Sequence, residues 1–339
     1  MKAGLLFDRA VPGRLSFRPS DPDEMILTQR LSFRLRPLAS LKAALAALLA
    51  LTLVACQSTE LTTAGLLPYA RVGAATATPG VAEVRGESTL VLDFASGRTL
   101  YEDAADGLRY PASLTKMMTL YLLFETIEAG RLSMSSELRV SENAASQPPS
   151  KLGLKAGETI RVADAAQAIA VKSANDVATV IAENLGGSEA DFANAMTAKA
   201  RALGMSRTRF VNASGLPDEG QISTARDMAT LGRALLNRFP AYASLFTRTG
   251  FDYNGRHYNA TNKLLGSVEG VDGLKTGYIR DAGFHLAATA TRRGRRIIVV
   301  VMGGRTGRER NARVEALIDQ YLGPASGAVA GLPGLSLTR

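Results

Sequence analysis

The sequence predicts an α+β fold, with an antiparallel sheet flanked by helices and a mostly helical second lobe beside it. Two observations carry this expectation: strand signals stand at both ends of the folded part, and helical periodicity fills the stretch between them. A third is composition. With 46% hydrophobic and 21% charged residues, the 339-residue chain can bury a sizeable core.

Ser88–Asp93 and residues 99–102 flank Ala95-Ser96-Gly97-Arg98, a strand–turn–strand signal. Residues 114–128 are helical, because Met117, Leu120, Tyr121 and Phe124 recur at spacings of 3 and 4 and Gly130 stops the run. Residues 162–184 form an Ala-rich helical stretch ended by Gly186-Gly187. Two more helices follow at 189–203 and 225–236, the second capped by Ser223-Thr224. Strands return at Gly250–Tyr253, 271–275, 285–291 and 297–302, and a helix at 311–321 closes the fold. The first hairpin and the late strands are expected to share one sheet, with a cleft where it meets the helical lobe.

The flanks differ in kind. Arg30, Arg34, Arg36 and Lys42 precede the apolar run 43–51, a positive n-region before an h-region too short for a membrane span, so residues 1–55 read as a leader. Met25 offers an alternative start, since residues 1–24 are polar and rich in proline. Leu53-Val54-Ala55-Cys56 resembles a bacterial lipobox, which makes Cys56 the expected lipidation site and gives a membrane anchor to an exported, periplasmic or cell-envelope protein. A plain secretory signal is the alternative. Residues 56–84, rich in Thr, Ala, Gly and Pro, read as a tether, 85–322 as the folded domain, and 323–339 as a disordered tail.

Composition excludes several functions. One cysteine rules out a disulfide framework, and two histidines, His257 and His285, leave neither a metal site nor a histidine triad well supplied; both read as ordinary surface or strand residues. No cofactor or metal is expected. Of the formal charge of +9, residues 1–55 hold eight Lys/Arg against four Asp/Glu, and most of the remaining +5 lies in residues 292–313, where Arg292, Arg293, Arg295, Arg296, Arg305, Arg308, Arg310 and Arg313 are opposed only by Glu309. No aromatic interleaving or reader motif accompanies these arginines, so nucleic acid is not an expected partner.

Three short motifs fall in order. Ser113-Leu114-Thr115-Lys116 opens a helix, and its spacing puts the serine hydroxyl and the lysine amine on one face at the positive end of the dipole. Lysine serves as a base only if burial or a neighbouring cation lowers its pKa. Ser173-Ala174-Asn175 interrupts an apolar helical stretch with polar groups that must be satisfied or used. Lys275-Thr276-Gly277 closes a strand, where glycine lets a substrate backbone approach and lysine and threonine offer donors to a carboxylate.

Each motif alone is weak, but their order and spacings of 60 and 102 residues are not. The trio is shared by β-lactamases and penicillin-binding proteins. With Tyr110-Pro111-Ala112 before it, Ser223-Thr224-Ala225-Arg226-Asp227 and Met302-Gly303-Gly304-Arg305-Thr306, the chain resembles the low-molecular-mass penicillin-binding proteins, the serine-type D-alanyl-D-alanine carboxypeptidases. The resemblance runs from about Ser88 to Tyr321. It implies a β-lactamase/DD-peptidase-like fold, peptidoglycan stem peptides as substrates and β-lactams as inhibitors. By resemblance, Ser113 is the acyl-ester nucleophile, Lys116 its proton acceptor, Ser173 a proton relay and Asn175 a holder of the substrate amide. Lys275 and Thr276 would meet the terminal carboxylate beside Gly277, and the N–H groups of Ser113 and Tyr278 would form the oxyanion hole.

The sequence departs from the family in places. The middle motif has Ala174 where many members have glycine, and Tyr278 stands where some relatives have histidine. Arg310 falls at the place of an arginine that meets the substrate carboxylate, with Arg308 two residues away as the competing candidate. Little follows Tyr321, so the small β-sandwich domain and amphipathic anchor of several relatives are not expected, and lipidation at Cys56 would replace the anchor. A DD-endopeptidase of the same family and a class A-like β-lactamase are the alternatives. The second would need a deacylating glutamate near residues 207–215, where the chain has none.

Overall fold

The structure, a computed structural model, describes Val84 and residues 86–326. The Asp93 carboxylate accepts from the Ser96 N–H at 2.8 Å and hydroxyl at 2.6 Å, closing the turn between β1 (Ser88–Asp93) and β2 (Thr99–Asp103). Two small two-stranded sheets follow, β3 (Glu137–Arg139) with β4 (Thr159–Arg161) across an intervening helix, and the hairpin of β5 (Gly250–Tyr253) with β6 (Arg256–Asn259). Strands β7 (Val271–Ile279), β8 (Gly283–Arg292) and β9 (Arg295–Gly304) complete the main sheet in the order β2-β1-β9-β8-β7, every pair antiparallel.

The first hairpin and three of the late strands therefore share one sheet. Gly250–Tyr253 does not join it. Asn254 and Gly255, with φ of +47° and +71°, make a tight two-residue turn that pairs β5 with its neighbour β6 instead of a distant edge.

Seven helices pack around this frame: α1 (Lys116–Glu128), α2 (Glu142–Ser146), α3 (Val162–Gln167), α4 (Asn175–Gly186), α5 (Glu189–Ala202), α6 (Ala225–Arg238) and α7 (Gly307–Leu322), counted among the described residues. The hydroxyls of Ser141, Ser188, Thr224 and Thr306 cap α2, α5, α6 and α7 by accepting from the N–H three residues on. Thr306 and Glu309 have capping-box spacing, which explains why α7 starts four residues before the periodicity suggests.

Alternation along β9 sends Ile298, Val300 and Met302 to the face that carries α1, α4 and α6. Ile297, Val299 and Val301 go to the face covered by Val314, Leu317 and Ile318 of α7. Because both faces are covered, β9 reads as an unbroken apolar run. Helix α1 is buried almost all round, with Phe124 stacked on Tyr242 at 4.2 Å and edge-on to Phe239 at 5.7 Å. Phe124→Ala is expected to cost about 3–5 kcal/mol, read as a lower denaturation midpoint, because it empties the centre of the helical lobe.

The expected single helix over 162–184 is broken. α3 ends at Gln167, residues Ala168–Lys172 form a π-helical turn, Ser173 takes a left-handed conformation (φ +64°, ψ +39°), and α4 begins at Asn175. The apolar residues on both sides of the break remain buried, so periodicity continues through it and hides it. Leu152, Gly153, Leu154 and Val177 all donate backbone N–H groups to the Asp176 carboxylate, which pins the loop over the break. Cys56 and the expected leader and tether up to residue 83 lie outside the described residues, as do residues 327–339. The first residues of the expected tail are held: Gly323 O accepts from Arg292, and Ser326 donates to Glu269.

Candidate active site

The segment of the expected nucleophile is a 3-10 turn, Ala112–Thr115, that runs into α1 at Lys116. Side chains at i and i+3 eclipse in such a turn, which brings Ser113 Oγ to 3.1 Å from Lys116 Nζ. Lys116 is wholly buried and reaches Asn175 Oδ1 at 2.7 Å and the Ser214 carbonyl at 2.5 Å. Burial holds its pKa well below the usual lysine value, Lys275 adds to the shift, and Asp176 and Glu189 oppose it. A neutral amine has two N–H donors and one lone pair. An ammonium would donate to all three oxygens; once neutral, Lys116 keeps two donors for Asn175 and Ser214 and turns its lone pair to the Ser113 hydroxyl.

The break at Ser173 places its side chain on the cleft wall. Its Oγ is buried and has no hydrogen-bond partner among the described residues, so it is available to a proton in transit. Asn175 lines the cleft, its Oδ1 accepting from Lys116 and its Nδ2 donating one N–H to Pro148 O at 2.9 Å, with a second N–H on the same nitrogen.

Strand β7 is the sheet edge beside the nucleophile turn. A Cβ on Gly277 would lie 3.3 Å from Ala112 Cβ, Pro111 O and Ser113 N, so any larger residue would push the strand and the turn apart by a few tenths of an ångström. Lys275 is buried, and burial followed by the charge of Arg310 lowers its pKa to about 7. Its ammonium contacts Thr276 O at 3.0 Å, and Thr276 Oγ1 donates to Thr261 Oγ1 at 2.8 Å. Arg310 lines the cleft with its guanidinium largely buried and its pKa lowered by that burial to about 10, whereas Arg308 is exposed and outside the lining. Tyr278 is 55% exposed and packs on Phe284 at 4.3 Å, forming a shelf at the mouth.

These groups surround a cleft of about 500 Å³. Ser113, Ser173, Asn175, Thr276, Gly277, Tyr278 and Arg310 all line it, with Lys172 and Arg280, and no carboxylate does so among the described residues. Lys116 and Lys275 lie just beneath this lining. The arrangement can bind an anion and holds a serine hydroxyl beside a lysine whose charged form burial disfavours.

Several parts escape a sequence reading. The Ser214 carbonyl has no side-chain signature, and it is fixed by Thr119 Oγ1 donating to Ala213 O at 2.7 Å and by the Ala213 N–H donating to Glu189 at 3.1 Å. Gly215 (φ +82°) lets that strap meet the nucleophile turn, since a Cβ there would fall 1.9 Å from Ala112 O. Asn212 Oδ1 builds the turn, accepting from the Ser214 N–H and hydroxyl, the Gly215 N–H and Gln221 Nε2. His285, read as an ordinary strand residue, proves fully buried with both ring nitrogens bonded.

The fold and the site together define a penicillin-binding-protein type of molecule. Penicillin binding protein 5 of Haemophilus influenzae is 31% identical with a TM-score of 0.67 over 70% of each chain. Penicillin-Binding Protein D2 of Listeria monocytogenes, solved with cefotaxime bound, is 34% identical with a TM-score of 0.60 over 68% of this chain and 95% of that one. Residues 74–306 match the family described as Peptidase_S11, D-alanyl-D-alanine carboxypeptidase, and the chain belongs to that family. D-alanyl-D-alanine carboxypeptidase DacF of Bacillus subtilis is 38% identical over 241 residues, which are 69% of this chain. The chain spans 61% of the length of that relative.

Proposed function

We propose that the protein is an exported serine DD-carboxypeptidase that removes the terminal D-alanine from peptidoglycan stem peptides and is acylated by penicillins. The observation that carries the reading is the triangle around Lys116, whose two acceptors and one hydroxyl suit a neutral base. Ser113 Oγ attacks the carbonyl carbon of the penultimate D-alanine, its proton passes to Lys116 Nζ, and the backbone N–H groups of Ser113 and Tyr278 receive the oxyanion. The C–N bond then breaks, and the leaving D-alanine amine takes a proton through Ser173 Oγ. Water hydrolyses the ester and frees Ser113. Lys275, Thr276 and Arg310 receive the terminal carboxylate, and the free edge of β7 at Gly277 accommodates an extended peptide.

Lipidation at Cys56, after a leader over 1–55 and before a tether over 56–84, belongs to the same proposal. It is supported by Leu53-Val54-Ala55-Cys56 at the end of an h-region. Mass spectrometry of the mature N-terminus tests it: a diacylated Cys56 is expected, and an unmodified start well past Cys56 makes the leader a plain secretory signal.

The absence of a carboxylate from the described cleft lining argues against rapid β-lactam hydrolysis, since nothing acidic stands ready to activate water beside a penicilloyl ester. The penicilloyl-enzyme is therefore expected to persist for minutes or longer while peptide esters turn over. Loss of label chased with unlabelled penicillin measures this, and turnover on the order of once per second would favour the β-lactamase reading. Release of D-alanine from a stem pentapeptide is the direct assay of the proposed activity.

A further inference from the structure

Strand β8 carries a buried titratable group that the proposed chemistry leaves unused. His285 sits opposite Gly277 in the β7–β8 register, at the level where the nucleophile turn rests on the sheet. Its Nδ1 lies 2.9 Å from the Gly303 N–H of β9, and its Nε2 lies 2.9 Å from the carbonyl of Tyr110. A backbone N–H can only donate and a carbonyl can only accept. Nδ1 is therefore the acceptor and the proton rests on Nε2. The backbone carbonyl of His285 accepts from Arg310 Nη1 of α7.

We propose that His285 is a positioning residue for acyl transfer, a neutral Nε2–H imidazole that fixes the nucleophile turn against the β7–β8–β9 strands and against Arg310. This rests on the carboxypeptidase reading. Tyr110 is three residues before Ser113, so its carbonyl sets the height of the turn over Gly277, and that height sets how the serine faces the donors of β7. The same residue holds Arg310 through its main chain, linking the nucleophile side of the cleft to the carboxylate side. An apolar residue such as its neighbours Leu286 and Ala287 would fill the sheet interior without the desolvation cost of an imidazole. Burial lowers the pKa of His285 to about 4, opposed by hydrogen bonding to the main chain at Tyr110 and Phe284 and aided by the charges of Arg310 and Arg109. Protonation would set an Nδ1–H against the Gly303 N–H, two donors facing each other.

His285→Asn and His285→Gln separate the two ring contacts. Asparagine places its oxygen near the Nδ1 position and loses the donor to Tyr110, whereas glutamine places its nitrogen near the Nε2 position and keeps it. Acylation by a fluorescent penicillin, and kcat and KM for D-alanine release, are measured well below the melting temperature of each form. His285→Asn is expected to lose about tenfold to a hundredfold in acylation and kcat with little change in KM, and His285→Gln to recover most of that loss. In the wild type, ¹⁵N NMR is expected to show the neutral Nε2–H tautomer at about pH 6. Equal loss in both variants, full activity in folded His285→Asn, or a charged or Nδ1–H ring overturns the proposal. If His285→Asn does not fold, the tautomer and the glutamine variant decide. A wild type that takes penicillin but releases no D-alanine overturns the carboxypeptidase reading instead, and acylation rates still judge His285.

Discussion

Ser113→Ala is expected to abolish both covalent labelling by penicillin and release of D-alanine, and Lys116→Ala to slow acylation by about a hundredfold to ten-thousandfold. The serine supplies the only bond to the acyl group, so nothing replaces it. The lysine supplies proton acceptance alone, and water can do that poorly. Lys116→Arg should be nearly as damaging, because a guanidinium keeps its proton throughout the working range. Fluorescent penicillin followed by peptide mapping reads all three forms. A label found on another serine of the wild type would sink the assignment.

Lys275→Ala should lower acylation by peptides with a free terminal carboxylate by about tenfold to a hundredfold, since a charge-assisted contact is lost from a buried corner. An amidated peptide should be poor with the wild type and lose little more in the variant. The pH dependence follows from the sign of each requirement. Lys275 must carry its proton, and with a pKa of about 7 it loses that charge as pH rises, although a bound carboxylate would draw the value upward. Lys116 must lack its proton and gains one as pH falls through its depressed pKa. The rate for free-acid peptides should therefore be bell-shaped, with an alkaline limb missing from Lys275→Ala. Amidated peptide cut as fast as the acid would replace carboxypeptidase with endopeptidase activity.

The three motifs were legible because each combines side chains whose chemistry is local: a hydroxyl and an amine one turn apart, two polar residues in an apolar run, a cation at a strand end. The sheet was legible through strand alternation, although Gly250–Tyr253 was misplaced because Asn254-Gly255 passed unread as a hairpin turn. What stayed hidden is carried by the backbone or by distant packing. Nothing in Ala213-Ser214-Gly215 announces that a carbonyl will meet Lys116 from 98 positions away. Nor does periodicity register the extra residue of a π turn when the flanking alanines remain buried. A count of two histidines weighs against a metal site or a triad, but it says nothing about a lone imidazole bridging strands, as His285 does.

Ala112 and Ser173 occupy the left-handed region, at φ +47° and +64°, one beside the nucleophile and the other bearing the unpartnered hydroxyl. Each non-glycine residue held there costs about 1–2 kcal/mol. Glycine would sit more comfortably at either position, so selection for heat resistance alone would favour it. At Ser173 that relief removes the hydroxyl, and at Ala112 it loosens the turn that Gly215 and Gly277 press against. Endurance and turnover are thus opposed at the same two residues, and a lineage adapting to higher temperature would have to find its stability in the helical lobe or on the far face of the sheet, under α7.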